Sequence, residues 1–270
     1  MLMIEILGYF GALLIGIVLG LTGGGGSILT VPILVYILAI NPVIATGYSL
    51  FVVGISSLFG AVKNIQKGLV NFKSSLIFAI PAVIAVFSTR KFIIPAVPEI
   101  LIETTSFTLT REVAIMSFFA LLMLVASFSM ILDNKKNLTE KSTGKNAEDI
   151  NYPLLIILGI LTGLITGTVG AGGGFIIVPI LVLLAKLPMK KAAATSLFII
   201  AINSLLGFLG DVTTFKIDWV FLLSFSAIAV AGIFLGIYLN KFIDGKKLKK
   251  GFGWFVLIMG IYIFWKEMTM

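Results

Sequence analysis

The chain has 270 residues, of which 59% are hydrophobic and 12% charged, whereas soluble domains run at roughly 45–50% apolar and about 25% charged. Too few polar side chains are present to cover a water-exposed surface, and a mean hydropathy of +1.14 agrees, so a soluble globular protein is excluded. Cys and His are absent, which removes disulfides, thiolate and imidazole metal sites, and the Ser-His-Asp and Cys-His nucleophile systems; no enzyme activity, metal or cofactor is expected.

In chain order, no charge occurs from Ile6 to Val62, a run of 57 residues, and a bilayer crossing needs about 20. Helices are expected over 6–22, 26–40, 42–62, 74–90 and 112–132, then a polar linker over 133–150. Further helices are expected over 152–169, 174–187, 189–210, 218–240 and 252–266. Helices satisfy every backbone polar group inside lipid, and the continuous apolar runs argue against a barrel. The start, Met-Leu-Met-Ile-Glu, lacks a basic region and reads as the first helix rather than a removable leader.

The second set of segments repeats the first at a constant offset of 147. Gly16, Gly20, Gly23, Gly25 and Gly26 fall on Gly163, Gly167, Gly170, Gly172 and Gly173. Val31 to Val35 falls on Val178 to Val182, Ser49-Leu50-Phe51 on Ser196-Leu197-Phe198, and Asn71-Phe72 on Asp218-Trp219. If the second segment returns the chain to the side where the first began, fifteen of the 20 basic residues share one side: Lys63, Lys67, Lys73 and the lysines at 135, 136, 141, 145, 186, 190, 191, 241, 246, 247, 249 and 250. The positive-inside rule makes that side cytoplasmic. Both termini then lie outside an inner (cell) membrane, and the basic residues are topology signals rather than a nucleic-acid surface. The fold expected is an all-α, multi-pass integral membrane protein of two inverted repeats, 1–132 and 151–270, joined by a cytoplasmic linker at 133–150. Each repeat has about five helical segments, giving 8–10 crossings with broken or re-entrant glycine-rich segments.

Those breaks fall at Gly23-Gly24-Gly25-Gly26-Ser27 and at Gly170-Ala171-Gly172-Gly173-Gly174. Non-helical backbone at membrane depth is tolerated only where it is buried in protein or lines a cavity. The N–H groups of the helices that follow have no intrahelical acceptor and sit at a positive dipole end, a surface suited to a small oxyanion. The alternative is close helix packing, which is the reading of Gly16-xxx-Gly20, Gly159-xxx-Gly163-xxx-Gly167 and Gly232-xxx-Gly236. Next come Tyr48 and Ser49, with Thr195 and Ser196 as mates. Their hydroxyls either bond backbone one turn back or donate to the anion. Asn203, with Ser204, Ser56 and Ser57, lies about two turns further on, while Asn64 and Asp211 read as helix-end caps or solvated residues. The interiors of the spans read as free of ionisable residues, which weakens any buried proton relay.

The second copy reads Gly170 to Gly174, Val178-Pro179, Ala192 to Leu197 and Ile217-Asp218-Trp219. The first is looser, with Tyr48 in place of Thr195 and Asn71-Phe72 in place of Asp218-Trp219. This pattern resembles the TauE/SafE (TSUP) family of membrane transporters, described as sulfite exporters, over nearly the whole chain outside the linker and residues 91–111. The resemblance implies an anion transporter of sulfur or C2–C3 acid metabolism, and the function expected is a secondary carrier for a small anion such as sulfite, thiosulfate or an organosulfonate; the chemistry of the junctions and hydroxyls above makes Gly23–Ser27, Tyr48, Ser49, Gly170, Gly172–Gly174, Thr195, Ser196 and Asn203 its expected binding residues. A coupling ion (H+ or Na+) and a homodimer are partners compatible with that class. A passive anion channel, or a carrier of another small organic acid, is the rival reading.

Overall fold

The structure, a computed structural model, describes residues 2–104, 107–132, 152–214, 216–240, 242 and 245–269. The linker over 133–150 lies outside the described residues. Ten helices follow in order: α1 (Leu2–Thr22), α2 (Gly25–Ile37), α3 (Pro42–Gln66), α4 (Phe72–Ala96), α5 (Arg111–Leu132), α6 (Tyr152–Val169), α7 (Gly174–Leu183), α8 (Met189–Phe208), α9 (Trp219–Leu239) and α10 (Gly245–Thr269). All but α2 and α7 are long and apolar enough to cross a membrane, giving eight such helices among the described residues. The protein is a helical, multi-pass membrane protein. Residues such as Ile80, Ile84, Val125, Leu223 and Ile258 point outward from the bundle, where lipid solvates them without cost.

Side-chain caps set several helix starts. Asn41 Oδ1 accepts from the Val43 N–H at 2.9 Å ahead of Pro42, Asn71 Oδ1 accepts from Ser74 N–H at 3.0 Å, and Asp218 Oδ1 accepts from Phe221 N–H at 3.0 Å. Each supplies an acceptor to a first-turn N–H that has none in the helix. Asn71 and Asp218, matched in the 147-residue register, therefore do the same local work.

The glycine stripes place the helices. Gly16 and Gly20 lie against the backbone of Ala229, Ile233 and Gly236, while Gly232 and Gly236 lie against the carbonyls of Leu13 and Ile17, so α1 and α9 meet backbone to backbone. Gly159, Gly163 and Gly167 do the same for α6 against Phe78, Ala82 and Thr89 of α4. Small residues permit this approach where lipid supplies no hydrophobic drive between helices. The pairing is crosswise: the helix that opens each set packs on the fourth helix of the other. At the centre α3 packs along α8, and these are the most buried of the eight. The half-length α2 doubles back along α1, with Gly26 against Ile15 and Leu19, Gly11 against Ile33 and Gly8 against Leu38.

Several helix bounds differ from those expected. The fourth helix does not stop at residue 90; it runs to Ala96 through a π-wound turn at Thr89–Ile93. An antiparallel hairpin, β1 (Ile100–Thr104) with β2 (Phe107–Thr110), joins α4 to α5, and its β-branched Ile and Thr residues suit a strand. The helix expected over 174–187 ends at Leu183.

Candidate functional site

The two glycine junctions meet. Gly24 lies directly against the backbone of Gly174, with no room for a Cβ on either residue. The second junction is unwound by left-handed residues, Gly170 (φ 72°), Gly172 (φ 66°) and Gly173 (φ 70°), a conformation that costs other residues roughly 1–2 kcal/mol each. Gly170 must also be glycine for space, since its Cα faces the backbone of Thr46. At the first junction Gly23 (φ 76°) faces the backbone of Ala193, and Ala193 stands 147 residues from Thr46.

The hydroxyls expected at helix starts bridge between the two sets of segments. Ser49 Oγ donates to the Gly170 carbonyl at 2.7 Å, and Ser196 Oγ donates to the Gly23 carbonyl and, at 2.8 Å, to that of Ala193. Asn71 N–H donates to Thr195 Oγ1 at 3.1 Å, and Asp218 N–H to the Tyr48 hydroxyl at 2.7 Å. These four contacts form two pairs, each related by the same offset. Nearer the first junction, Ser27 Oγ donates to the Gly24 carbonyl and Thr22 Oγ1 accepts from Gly25 N–H.

Other buried polar atoms have no partner. Ser56 Oγ, Ser57 Oγ, Asn203 Oδ1 and Ser204 Oγ, all on α3 or α8, are unsatisfied, as is Thr166 Oγ1 on α6. Ser204 Oγ and Thr166 Oγ1 lie beside the second junction, where they would be among the neighbours of a Cβ on Gly172 and Gly173 respectively. Unsatisfied buried hydroxyls are costly, and two of them, on Ser204 and Thr166, flank the unwound backbone of the second junction. Asn203, on the same helix, belongs with this group; Tyr48, Ser49, Thr195 and Ser196 are engaged with backbone groups.

Charge is also present where none was expected. Arg90, within the span of α4, is fully buried, and Asp211, just beyond α8, is 2% exposed. The earlier reading of the span interiors as uncharged, and of Asp211 as a cap or a solvated residue, is therefore corrected. Arg90 Nε donates to Asp211 Oδ2 at 2.8 Å, and Nη1 donates to Thr46 Oγ1 at 3.0 Å and to the Gly167 carbonyl at 3.2 Å. Nothing local in sequence marks this pair, since its members stand 121 residues apart.

A separate cavity of about 290 Å3 lies between the start of α1 and the start of α9, lined by Glu5, Tyr9, Leu38, Asp218, Val220 and Phe221; its two carboxylates suit it poorly to an anion. Among the described residues no group of three His, Cys, Asp or Glu side chains is placed to hold a metal.

Comparison with known proteins agrees with this architecture. Residues 9–263 match the family model described as "Sulfite exporter TauE/SafE". A "Probable membrane transporter protein" of Xylella fastidiosa (strain 9a5c) is 29% identical over 262 residues, covering 94% of this chain and 92% of its own. YunE of Bacillus subtilis (strain 168), named a probable membrane transporter protein, is 28% identical, covering 87% and 88%. MJ0441 of Methanocaldococcus jannaschii, similarly named, is 36% identical over 117 residues, 41% of this chain and 44% of its own. No solved structure matches. A family match that takes in α1 through most of α10, including both glycine junctions and the helices that hold them together, makes this chain a member of the TauE/SafE family of membrane transporters.

Proposed function

We propose that the protein is a secondary carrier for small oxyanions of the sulfite, thiosulfate or organosulfonate kind, bound between two inverted repeats at the paired glycine junctions. The observation that carries the reading is the meeting of two unwound, glycine-built helix starts beside buried hydroxyls without partners. Unwound segments of this kind are the usual substrate sites of repeat-built transporters. Backbone N–H groups at the starts of α2 and α7 (Gly23–Ser27 and Gly170–Gly174) would hold the anion, with Ser204, Thr166 and Asn203 beside the second. Ser49 and Ser196 would hold the junctions in place and exchange carbonyl for anion as the carrier moves, and Tyr48 and Thr195, whose hydroxyls accept from backbone N–H groups of Asp218 and Asn71, would donate to the same anion. The inverted-repeat arrangement draws support from the crosswise helix pairs and the paired hydrogen bonds, all in one register. The lysine distribution supports a cytoplasmic linker at 133–150 and both termini outside.

The test is thermal unfolding of purified protein with sulfite, thiosulfate, sulfoacetate, taurine, sulfate, acetate or lactate, since a ligand of the folded state raises apparent stability. Sulfite or an organosulfonate should stabilise, and acetate and lactate should not. Ser204→Ala removes a hydroxyl that has no partner, so it should leave folding unharmed. One lost charge-assisted bond of roughly 1.5–3 kcal/mol should weaken anion binding by about 10- to 150-fold. Stabilisation by none of the seven anions, or unchanged affinity in Ser204→Ala, would reject this site. Sulfite flux into liposomes under a pH or Na+ gradient would then identify the coupling ion.

A further inference from the structure

Arg90 is the one fully buried cation among the described residues, and its surroundings do not use it up. Its Nη2 lies 2.6 Å from Asp211 Oδ2, yet it is out of line for a hydrogen bond and has no hydrogen-bonded partner; Asp211 Oδ1 has none either. A buried ion pair of this kind gives little stability over apolar residues of the same shape, least of all when its remaining donors and lone pairs go unmet. Fold stability alone therefore leaves it unexplained.

Its position supplies a reason. The guanidinium sits in the π-wound turn of α4, a distortion frequent at functional sites. It is anchored to the Gly167 carbonyl, three residues before the second glycine junction, and to Thr46, whose backbone lies against Gly170. Ser49, one turn beyond Thr46, holds the Gly170 carbonyl. Arg90 is thus coupled to the second junction through two short contacts. The residues 147 away from this cluster are Ile237, Asn64, Ala193 and Gly20 in the places of Arg90, Asp211, Thr46 and Gly167. None is ionisable, so the first junction has no counterpart of the pair.

We propose that Arg90 is an oxyanion receptor at the second junction only, and that Asp211 is its resident counter-ion, displaced when a substrate anion arrives. The exchange is one anion for another on the same guanidinium. A planar guanidinium recognises oxyanions in a two-pronged manner, so a sulfonate or sulfite takes the place of Asp211 at Nε and Nη2 while the freed carboxylate swings towards the loop after α8. Because Asp211 follows α8 and Arg90 belongs to α4, the exchange also cuts an ionic tie between the two sets of segments. Substrate charge would thereby unlock one end of the molecule and not the other. The inference rests on the oxyanion reading above and adds to it a charged residue and a sidedness.

The experiment measures sulfite and ethanesulfonate affinity by calorimetry on the full chain in lipid nanodiscs, for wild type, S204A, D211N and the double variant R90Q/D211N, with unfolding temperature recorded for each. D211N removes the competitor and should bind both anions about tenfold more tightly than wild type. R90Q/D211N keeps a neutral hydrogen-bonded pair, should fold, and should bind at least tenfold more weakly than wild type. If D211N alone does not fold, the double variant decides. A folded D211N with unchanged or weaker affinity, or a double variant that binds as wild type does, overturns the proposal. Those results alongside a wild type that binds and an S204A that does not would spare the junction site; a wild type that binds neither anion overturns both readings.

Discussion

Single residues divide here into those that hold backbone and those left open. Gly68 and Gly170 both have left-handed φ, 66° and 72°, but a Cβ on Gly68 meets nothing while one on Gly170 meets the Thr46 backbone. Gly68→Ala should therefore cost only the conformational term of about 1–2 kcal/mol, whereas Gly170→Ala should lower the unfolding temperature much further or prevent folding. Ser49→Ala and Ser196→Ala each strand a carbonyl that now accepts from the serine. Each should lose roughly 1–3 kcal/mol of stability, read as a lowered denaturation midpoint, in contrast to Ser204→Ala. The glycines and hydroxyls of the site were legible because they recur in a fixed register. Their partners were not: Ser49 reaches Gly170 and Ser196 reaches Gly23, 121 and 173 residues away, and spacing along a chain carries no record of such contacts. Arg90 was misread for the same reason. A charge at the edge of an apolar run is indistinguishable, in sequence, from one that faces water.

Helices and hairpin show where periodicity and composition succeed. Six of the eight long segments match the expected bounds within about four residues, because lipid demands length and apolarity and little else; α4 and α10 run further. The errors fall where something other than lipid decides. Helix α4 outruns its charges because Arg90 finds an anion inside the protein, and the hairpin over 100–110 lies where the chain has left the helical bundle. The glycine stripes give a direct test at this scale. Gly16→Leu should push α1 off the α9 backbone at Ala229 and Ile233 and abolish accumulation of a monodisperse folded species on size-exclusion chromatography. Gly251→Leu, in α10 where a Cβ meets nothing, should be tolerated and even gain up to about 1 kcal/mol from helix propensity.

At the level of the whole molecule, if the half-length α7 returns the chain to the face where α6 began, five passages separate Lys67 from Lys216, and these two exposed lysines lie on opposite faces. With the lysine-rich face inward, a cysteine replacing Lys67 should resist an impermeant thiol reagent in intact cells and one replacing Lys216 should react; the reverse pattern would turn the topology over. The crosswise pairing of α1 with α9 and of α6 with α4 has a further consequence, for the birth of the protein. The first helix leaves the ribosome with the surface around Gly16 and Gly20 bare, and the carbonyls that surface will rest against are translated about 200 residues later, which at ~5–20 residues per second is a delay of roughly 10–40 s. Through that interval α1 has α2 laid along it but not the helix that will cover its glycine stripe. Helix α4 is likewise inserted before its mate α6. Assembly of this transporter is therefore finished only near the end of synthesis, and a ribosome that stalls before Trp219 leaves behind a chain whose opening helix keeps α2 but has its glycine stripe uncovered.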